Sequence, residues 1–211
     1  MKKPYRIAVY SVISGMFVLA LLIVYQCSAP YRLKYQANQR LPANVAIGGD
    51  FSLQSSNGSI LALHDLHGKV VLLTFGFTAC ADVCPLGLMR LHKIIERLGT
   101  DANGLQVIFV SFDPVRDTPY LAHYVHHFDS AIIGLTGSDA EIAELTKRYG
   151  VVYSKENTKT GGYNFTHNGY VYLIDQQGLV RKVYEDTTPV NEIISDVRLL
   201  QKTAASPSPQ N

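Results

Sequence analysis

Two cysteines near the middle of the chain, Cys80 and Cys84, combine a reactive residue type with a spacing that permits joint chemistry. They follow an apolar run and precede a helical pattern that Pro85 is expected to open, which places both thiols near a helix N-terminus. Backbone N–H groups and the positive end of the helix dipole stabilise a thiolate there, so we expect the pKa of these thiols to lie below the ordinary value. Thiolates serve both redox exchange and the binding of soft metal ions.

The C-x-x-x-C spacing leaves several functions open. Residues four apart on a helix share a face, so a redox-active disulfide is geometrically possible. A soft cation such as Cu(I) would relieve the repulsion between two thiolates, but two sulfurs alone leave a metal site incomplete. A purely structural disulfide would close a very small loop and add little stability. A peroxidase would need a peroxide-activating environment that the sequence does not display.

His167 is the favoured third ligand among the seven histidines. It follows a polar, Gly- and Lys-rich segment and precedes a predicted strand at Tyr170 to Asp175, and we expect the loop that enters this strand to lie beside the cysteines. We expect the polar segment to be a mobile loop that lets His167 move onto and off a metal. Taken alone, a histidine in this position is more often an ordinary loop residue.

The segment SFDPVRDTP is a candidate source of supporting residues. Asp113 ends a predicted strand, where it either orients a ligand and tunes a thiol or serves as a turn residue. Arg116 and Asp117 are expected to hold this loop together. Asp117 also precedes Thr118 and Pro119 in a pattern that predicts a capped helix start.

The elements that must position these residues alternate between β-branched apolar runs and helical patterns. The predicted order is strand Val70 to Phe77, helix Leu86 to Leu98, strand Val107 to Phe112, helix Pro119 to Phe128, strand Ile132 to Gly134, helix Asp139 to Tyr149, strands Val151 to Ser154, Tyr170 to Asp175 and Leu179 to Tyr184, and a helix near Val190 to Lys202. A parallel βαβ half followed by a hairpin and a closing helix predicts an α/β, thioredoxin-like mixed sheet flanked by helices.

The N-terminus predicts a membrane anchor, because Ile7 to Tyr25 is an uncharged, mostly apolar run long enough to span a bilayer. Three cations precede it, which keeps the N-terminus cytoplasmic and places the C-terminal domain in the periplasm, tethered to the inner membrane by a single pass. A cleaved signal peptide is the alternative, but its apolar stretch would be shorter and end in small residues. The predicted organisation is a cytoplasmic start and anchor at 1–27, a linker at 28–46, the domain at 47–202 and a disordered tail at 203–211. No role is assigned to Cys27.

The length and net charge of the chain limit the number of domains and the kinds of partner that we expect. A chain of 211 residues can bury one well-packed domain. Its net charge of +2, without a basic run after the first few residues, gives no indication of a nucleic-acid partner.

Four segments together resemble the Sco/SenC family of copper-binding proteins. In order and spacing they are FTACADVCP, SFDPVRDTP, GLTGSDAEIAELTKRYGVVYSK and FTHNGYVYLIDQQG, and the likeness spans roughly Val45 to Leu200. The resemblance implies that Cys80, Cys84 and His167 coordinate one copper ion, as Cu(I), Cu(II) or both, and Asp113 matches the family's D-P.

The resemblance also implies a function: a membrane-anchored copper chaperone that receives copper from a donor protein. Its acceptor would be the copper centre of cytochrome c oxidase subunit II or a similar cuproprotein. The alternative is a thiol-disulfide oxidoreductase that reduces target cysteines before they receive metal. His167 distinguishes the chaperone from the oxidoreductase, since thiol-disulfide exchange requires only the cysteines whereas the copper site also needs the histidine.

Overall fold

A computed structural model describes residues 47–81, 83–158 and 161–204 of the chain. The predicted anchor at 1–27 and the linker at 28–46 lie outside these residues, as does the end of the predicted tail. Within the described ranges, every helix is too short or too polar to cross a bilayer.

In the described residues, nine strands form two sheets. They are β1 (Ser52–Ser55), β2 (Ile60–Ala62), β3 (Val70–Gly76), β4 (Leu105–Ser111), β5 (Ile132–Thr136), β6 (Tyr153–Asn157), β7 (Tyr163–His167), β8 (Val171–Ile174) and β9 (Val180–Tyr184). The larger sheet has the order β2-β1-β5-β4-β3-β8-β9. Strands β3, β4 and β5 are parallel, whereas β8 runs antiparallel to both β3 and β9. The predicted mixed α/β sheet is therefore confirmed.

The part of the chain that the structure describes also contains five α-helices: α1 (Val83–Leu98), α2 (Pro114–Asp117), α3 (Leu121–Phe128), α4 (Asp139–Tyr149) and α5 (Val190–Ala204). Helix α5 includes two residues that the sequence had suggested as the start of the tail. Ser138 caps α4, since its hydroxyl accepts from the N–H of Glu141 at 3.3 Å. The expected cap of α3 by Asp117 is wrong, because that helix begins at Leu121 without a side-chain cap.

The core at the centre of the sheet is apolar and aromatic. Six of the seven residues of β3 are buried, as expected for a strand covered on both faces. Tyr149 and Tyr172 pack edge to face beside Phe75 with ring centroids 5.3 Å apart, and the hydroxyl of Tyr172 donates to the carbonyl of Tyr149 at 2.8 Å. Cys80 follows β3 after a short loop. Because β3 is tightly packed, the start of that loop is held in a fixed position.

The polar segment before His167 is not the loop that the sequence suggested. It contains the antiparallel hairpin β6–β7, in which His167 is paired with Tyr153. Aromatic side chains explain the difference: Phe165 of β7 and Tyr153 of β6 both pack on Phe112, with centroids 5.0 and 4.9 Å away. His167 thus ends a hydrogen-bonded strand that is packed against the domain.

Candidate metal centre

Three side chains from three elements converge at one end of the sheet. Cys80 lies in the loop after β3, Cys84 in the first turn of α1 and His167 at the end of β7. Their sulfur and nitrogen donor atoms all lie within 4.8 Å of one another. The backbone N–H of Cys84 points at Sγ of Cys80 at 3.5 Å, and Sγ of Cys84 lies 3.5 Å from Nε2 of His167. The arrangement is suited to a metal ion that prefers sulfur and imidazole.

Cys84 is buried at this site because β3 ends in glycine. Cys84 is 6% exposed, whereas Cys80 is half-buried. A Cβ built on Gly76 would lie 2.8 Å from Sγ of Cys84 and 2.7 Å from the ring of Phe109. The absent side chain of Gly76 is therefore what makes room for the sulfur.

Burial raises the pKa of the Cys84 thiol. A hydrogen bond with the backbone of Phe77 opposes this only in part, and the neighbouring Cys80 adds to it. The prediction of a lowered pKa is wrong for this residue, because the thiol lies among apolar side chains and loses more hydration than the helix N-terminus replaces. A metal bound to this sulfur must displace the proton.

A buried carboxylate holds the loop that leads to Cys80. Asp117 is fully buried and accepts hydrogen bonds from the N–H of Thr78 at 2.8 Å, from its hydroxyl at 2.6 Å and from the hydroxyl of Ser111 at 2.5 Å. The expectation that Asp117 holds its own loop is confirmed. Its partner Thr78, however, lies 39 residues away in sequence, and no local pattern indicates that contact.

The imidazole of His167 is oriented by the backbone carbonyl of the next residue, Asn168. Nδ1 lies 2.9 Å from the carbonyl oxygen of Asn168, which can only accept, so Nδ1 carries the proton. Nε2 therefore presents its lone pair to the cysteines and accepts from the Cys84 thiol. The ring packs edge-on against Phe112 at 5.1 Å. This pattern, with one nitrogen fixed by a carbonyl and the other free to coordinate, is typical of histidine ligands.

Asp113 contacts the hairpin β6–β7 at the end of β7 that lies opposite His167. Its carboxylate accepts from the Tyr163 hydroxyl at 2.8 Å and from the guanidinium of Arg116. Arg116 also donates to the carbonyl of Tyr163 at 2.9 Å and lies 3.9 Å above its ring. These contacts fix the first residue of β7, whose last residue is His167. Any influence of Asp113 on the imidazole would act through this strand.

Fold and site together define a class: thioredoxin-like domains in which a C-x-x-x-C pair and a distant histidine form a cluster suited to metal binding. Comparison with known proteins identifies the family. The SCO1/SenC family model matches residues 39–202, and the chain belongs to that family.

Individual relatives and solved structures belong to the same family. An SCO2-like protein of Rickettsia felis is 38% identical over 150 residues, which cover 69% of this chain and 73% of the relative. The structure of Bradyrhizobium japonicum ScoI with copper bound superposes with a TM-score of 0.68 at 35% identity, covering 74% of this chain and 99% of that one. The structure of BsSco is described as having a disulfide switch and as a member of the Sco family of cytochrome c oxidase assembly proteins. It has a TM-score of 0.63 at 27% identity, and the match covers 76% of this chain and 96% of that one.

Proposed function

We propose that this protein is a copper chaperone that holds one copper ion through Cys80, Cys84 and His167. The observation that carries the proposal is the convergence of two sulfurs and one imidazole nitrogen within 4.8 Å. Thiolate sulfur is the preferred ligand of Cu(I), and imidazole accommodates both copper oxidation states. The copper-bound structure of a relative at 35% identity supports copper as the cargo.

The exposure of the ligands supports transfer rather than permanent storage. Cys84 is buried, but Cys80 and His167 are only half-buried and lie at the surface. Three protein ligands leave room for an incoming thiolate to bind copper before any of them is released. Copper would then pass from sulfur to sulfur without entering solution as the free ion.

We further propose where this transfer takes place. The apolar run in residues 1–27 would anchor the chain to the inner membrane in a single pass, with 28–46 as a linker that holds the 47–202 domain in the periplasm. The acceptor would be the copper centre of cytochrome c oxidase subunit II, loaded during assembly, and a separate protein would supply the copper. This acceptor is supported by the similarity to BsSco, which is described as a member of a family of cytochrome c oxidase assembly proteins.

The test has two parts. Reduced full-length protein in detergent should bind one copper per chain, Cys80→Ser/Cys84→Ser should bind none, and His167→Ala should bind at least tenfold more weakly. His126→Ala, an exposed histidine on α3, is the matched control and should behave as wild type. Copper-loaded protein should then transfer its copper to the reduced, metal-free copper domain of subunit II. Failure of the reduced wild type to bind copper would overturn the proposal.

A thiol-disulfide oxidoreductase is the second candidate. It is favoured by the exposure of Cys80, whose half-buried sulfur is more accessible than that of the buried Cys84 and is contacted by the N–H of Cys84 at 3.5 Å. Cys80 would attack a target disulfide and Cys84 would resolve the mixed disulfide, so that the pair loses two electrons while the target gains them and two protons. His167→Ala would leave this reduction intact, whereas it should weaken copper binding. Reduction of an oxidised subunit II domain by metal-free protein measures the activity directly.

A further inference from the structure

An apolar groove runs along the exposed face of α1, directly beside the candidate metal centre. It encloses about 460 Å³. Val83, Leu86 and Met89 line it and remain 45%, 55% and 57% exposed. Large apolar side chains grouped at a surface in this way are typical of interaction sites, and methionine adapts readily to different partners.

A glycine near the start of α1 lines this groove. Gly87 lies in the second turn of α1, where glycine costs roughly 0.5–1 kcal/mol relative to alanine. A Cβ built at Gly87 would meet nothing within 4 Å, so neither packing nor backbone conformation in the described residues requires glycine there. Glycine in such a position permits a second backbone to approach the helix closely.

The groove is continuous with the elements that carry the metal ligands. Val83 at one end is adjacent in sequence to Cys84. Asp186, which also lines the groove, lies against Gly169. A Cβ built on Gly169 would be 2.6 Å from a carboxylate oxygen of Asp186. Gly169 is two residues beyond His167. A protein whose thiols reach the copper site must therefore come close to this groove.

We propose that the groove binds an apolar segment of the copper-accepting protein, adjacent in that protein to its copper-binding thiols. The inference rests on the proposed chaperone function. The partner's backbone would cross α1 at Gly87, with its apolar side chains against Val83, Leu86 and Met89. Among the described residues that line the groove, Arg90 and Lys93 are two cations and Asp186 is one carboxylate. The segment that complements this charge would therefore carry at least one acidic residue.

Filling the groove tests this directly. Gly87→Leu in the full-length protein adds a side chain at a position where the Cβ meets nothing within 4 Å, and Ala143→Leu on the exposed face of α4 is the matched control. We expect Gly87→Leu to bind copper as tightly as wild type and to release it to a small chelator at the same rate. Its transfer of copper to the subunit II copper domain should be at least tenfold slower than that of wild type or Ala143→Leu. Equal transfer rates for all three proteins would overturn the groove as the docking site.

Charge provides a second measurement. Lys93→Glu should slow transfer to the subunit II domain severalfold and make the rate less sensitive to salt, whereas Lys147→Glu, exposed on α4, should change neither. Identical effects of the two substitutions would overturn the acidic character of the segment. If wild-type protein binds copper but transfers none to this domain, the proposed acceptor and the docking proposal both fail. If wild type transfers copper and Gly87→Leu does so equally, only the docking proposal fails.

Discussion

The hydroxyl of Tyr163 donates a hydrogen bond of 2.8 Å to Oδ1 of Asp113. The bond joins the first residue of β7 to the loop that follows β4, and Arg116 strengthens the junction by bonding both Asp113 and the carbonyl of Tyr163. His167 ends the same strand. The position of the imidazole therefore depends on contacts made at the far end of the hairpin.

Tyr163→Phe should weaken copper binding although Tyr163 is not a ligand. The substitution removes the bond to Asp113 but keeps the ring against Arg116, so we expect a severalfold loss of copper affinity and a loss of about 1 kcal/mol of unfolding free energy. Competition with a Cu(I) chelator and urea denaturation measure the two effects. Tyr120→Phe is the control, since Tyr120 is 66% exposed. A Tyr163→Phe protein with wild-type copper affinity would show that the hairpin does not depend on this junction.

Two glycine substitutions should have opposite effects on stability. Gly76→Ala would force a methyl group to within 3 Å of Cys84 and Phe109, and such overpacking typically costs about 1–3 kcal/mol. It should also displace the buried sulfur and weaken copper binding. Gly87→Ala, where the added Cβ is free, should stabilise the protein by roughly 0.5–1 kcal/mol without changing copper affinity. Denaturant unfolding of both variants checks this, and unchanged copper binding in a folded Gly76→Ala protein would contradict the described packing.

The two thiols should differ in reactivity. Cys84 is 6% exposed and burial raises its pKa, so at neutral pH it is protonated and shielded, whereas Cys80 is half-buried. Iodoacetamide added to the reduced, metal-free protein should modify Cys80 first. Because a raised pKa keeps the thiol protonated until higher pH, labelling of Cys84 should increase as the solution becomes alkaline. Mass spectrometry of the two peptides, separated by protease cleavage or fragmentation, gives the order, and preferential labelling of Cys84 at neutral pH would refute it.

The sequence was sufficient to predict the three converging side chains and five of the seven strands of the larger sheet, β3, β4, β5, β8 and β9, but not β1 and β2. The apolar run before Cys80 is a strand buried on both faces, and such runs are among the clearest patterns in a sequence. The resemblance then singled out His167 from six other histidines. Its donor atom does lie beside both sulfurs.

The remaining features depend on contacts between distant residues. Alternation of polar and aromatic residues in β7 produces a strand only because Phe165 and Tyr153 pack on Phe112, which belongs to another part of the chain. The same is true of the bond between Thr78 and Asp117. The raised pKa of Cys84 follows from burial beside Gly76, whereas the helix position alone suggested the reverse.

X-ray absorption spectroscopy at the copper edge tests the central claim most directly. Copper-loaded wild-type protein, compared with His167→Ala and the His126→Ala control, should show two sulfur ligands and one imidazole nitrogen in both wild type and control. The His167→Ala spectrum should keep both sulfurs and lose the imidazole. Identical copper spectra for wild type and His167→Ala would contradict the three-ligand site.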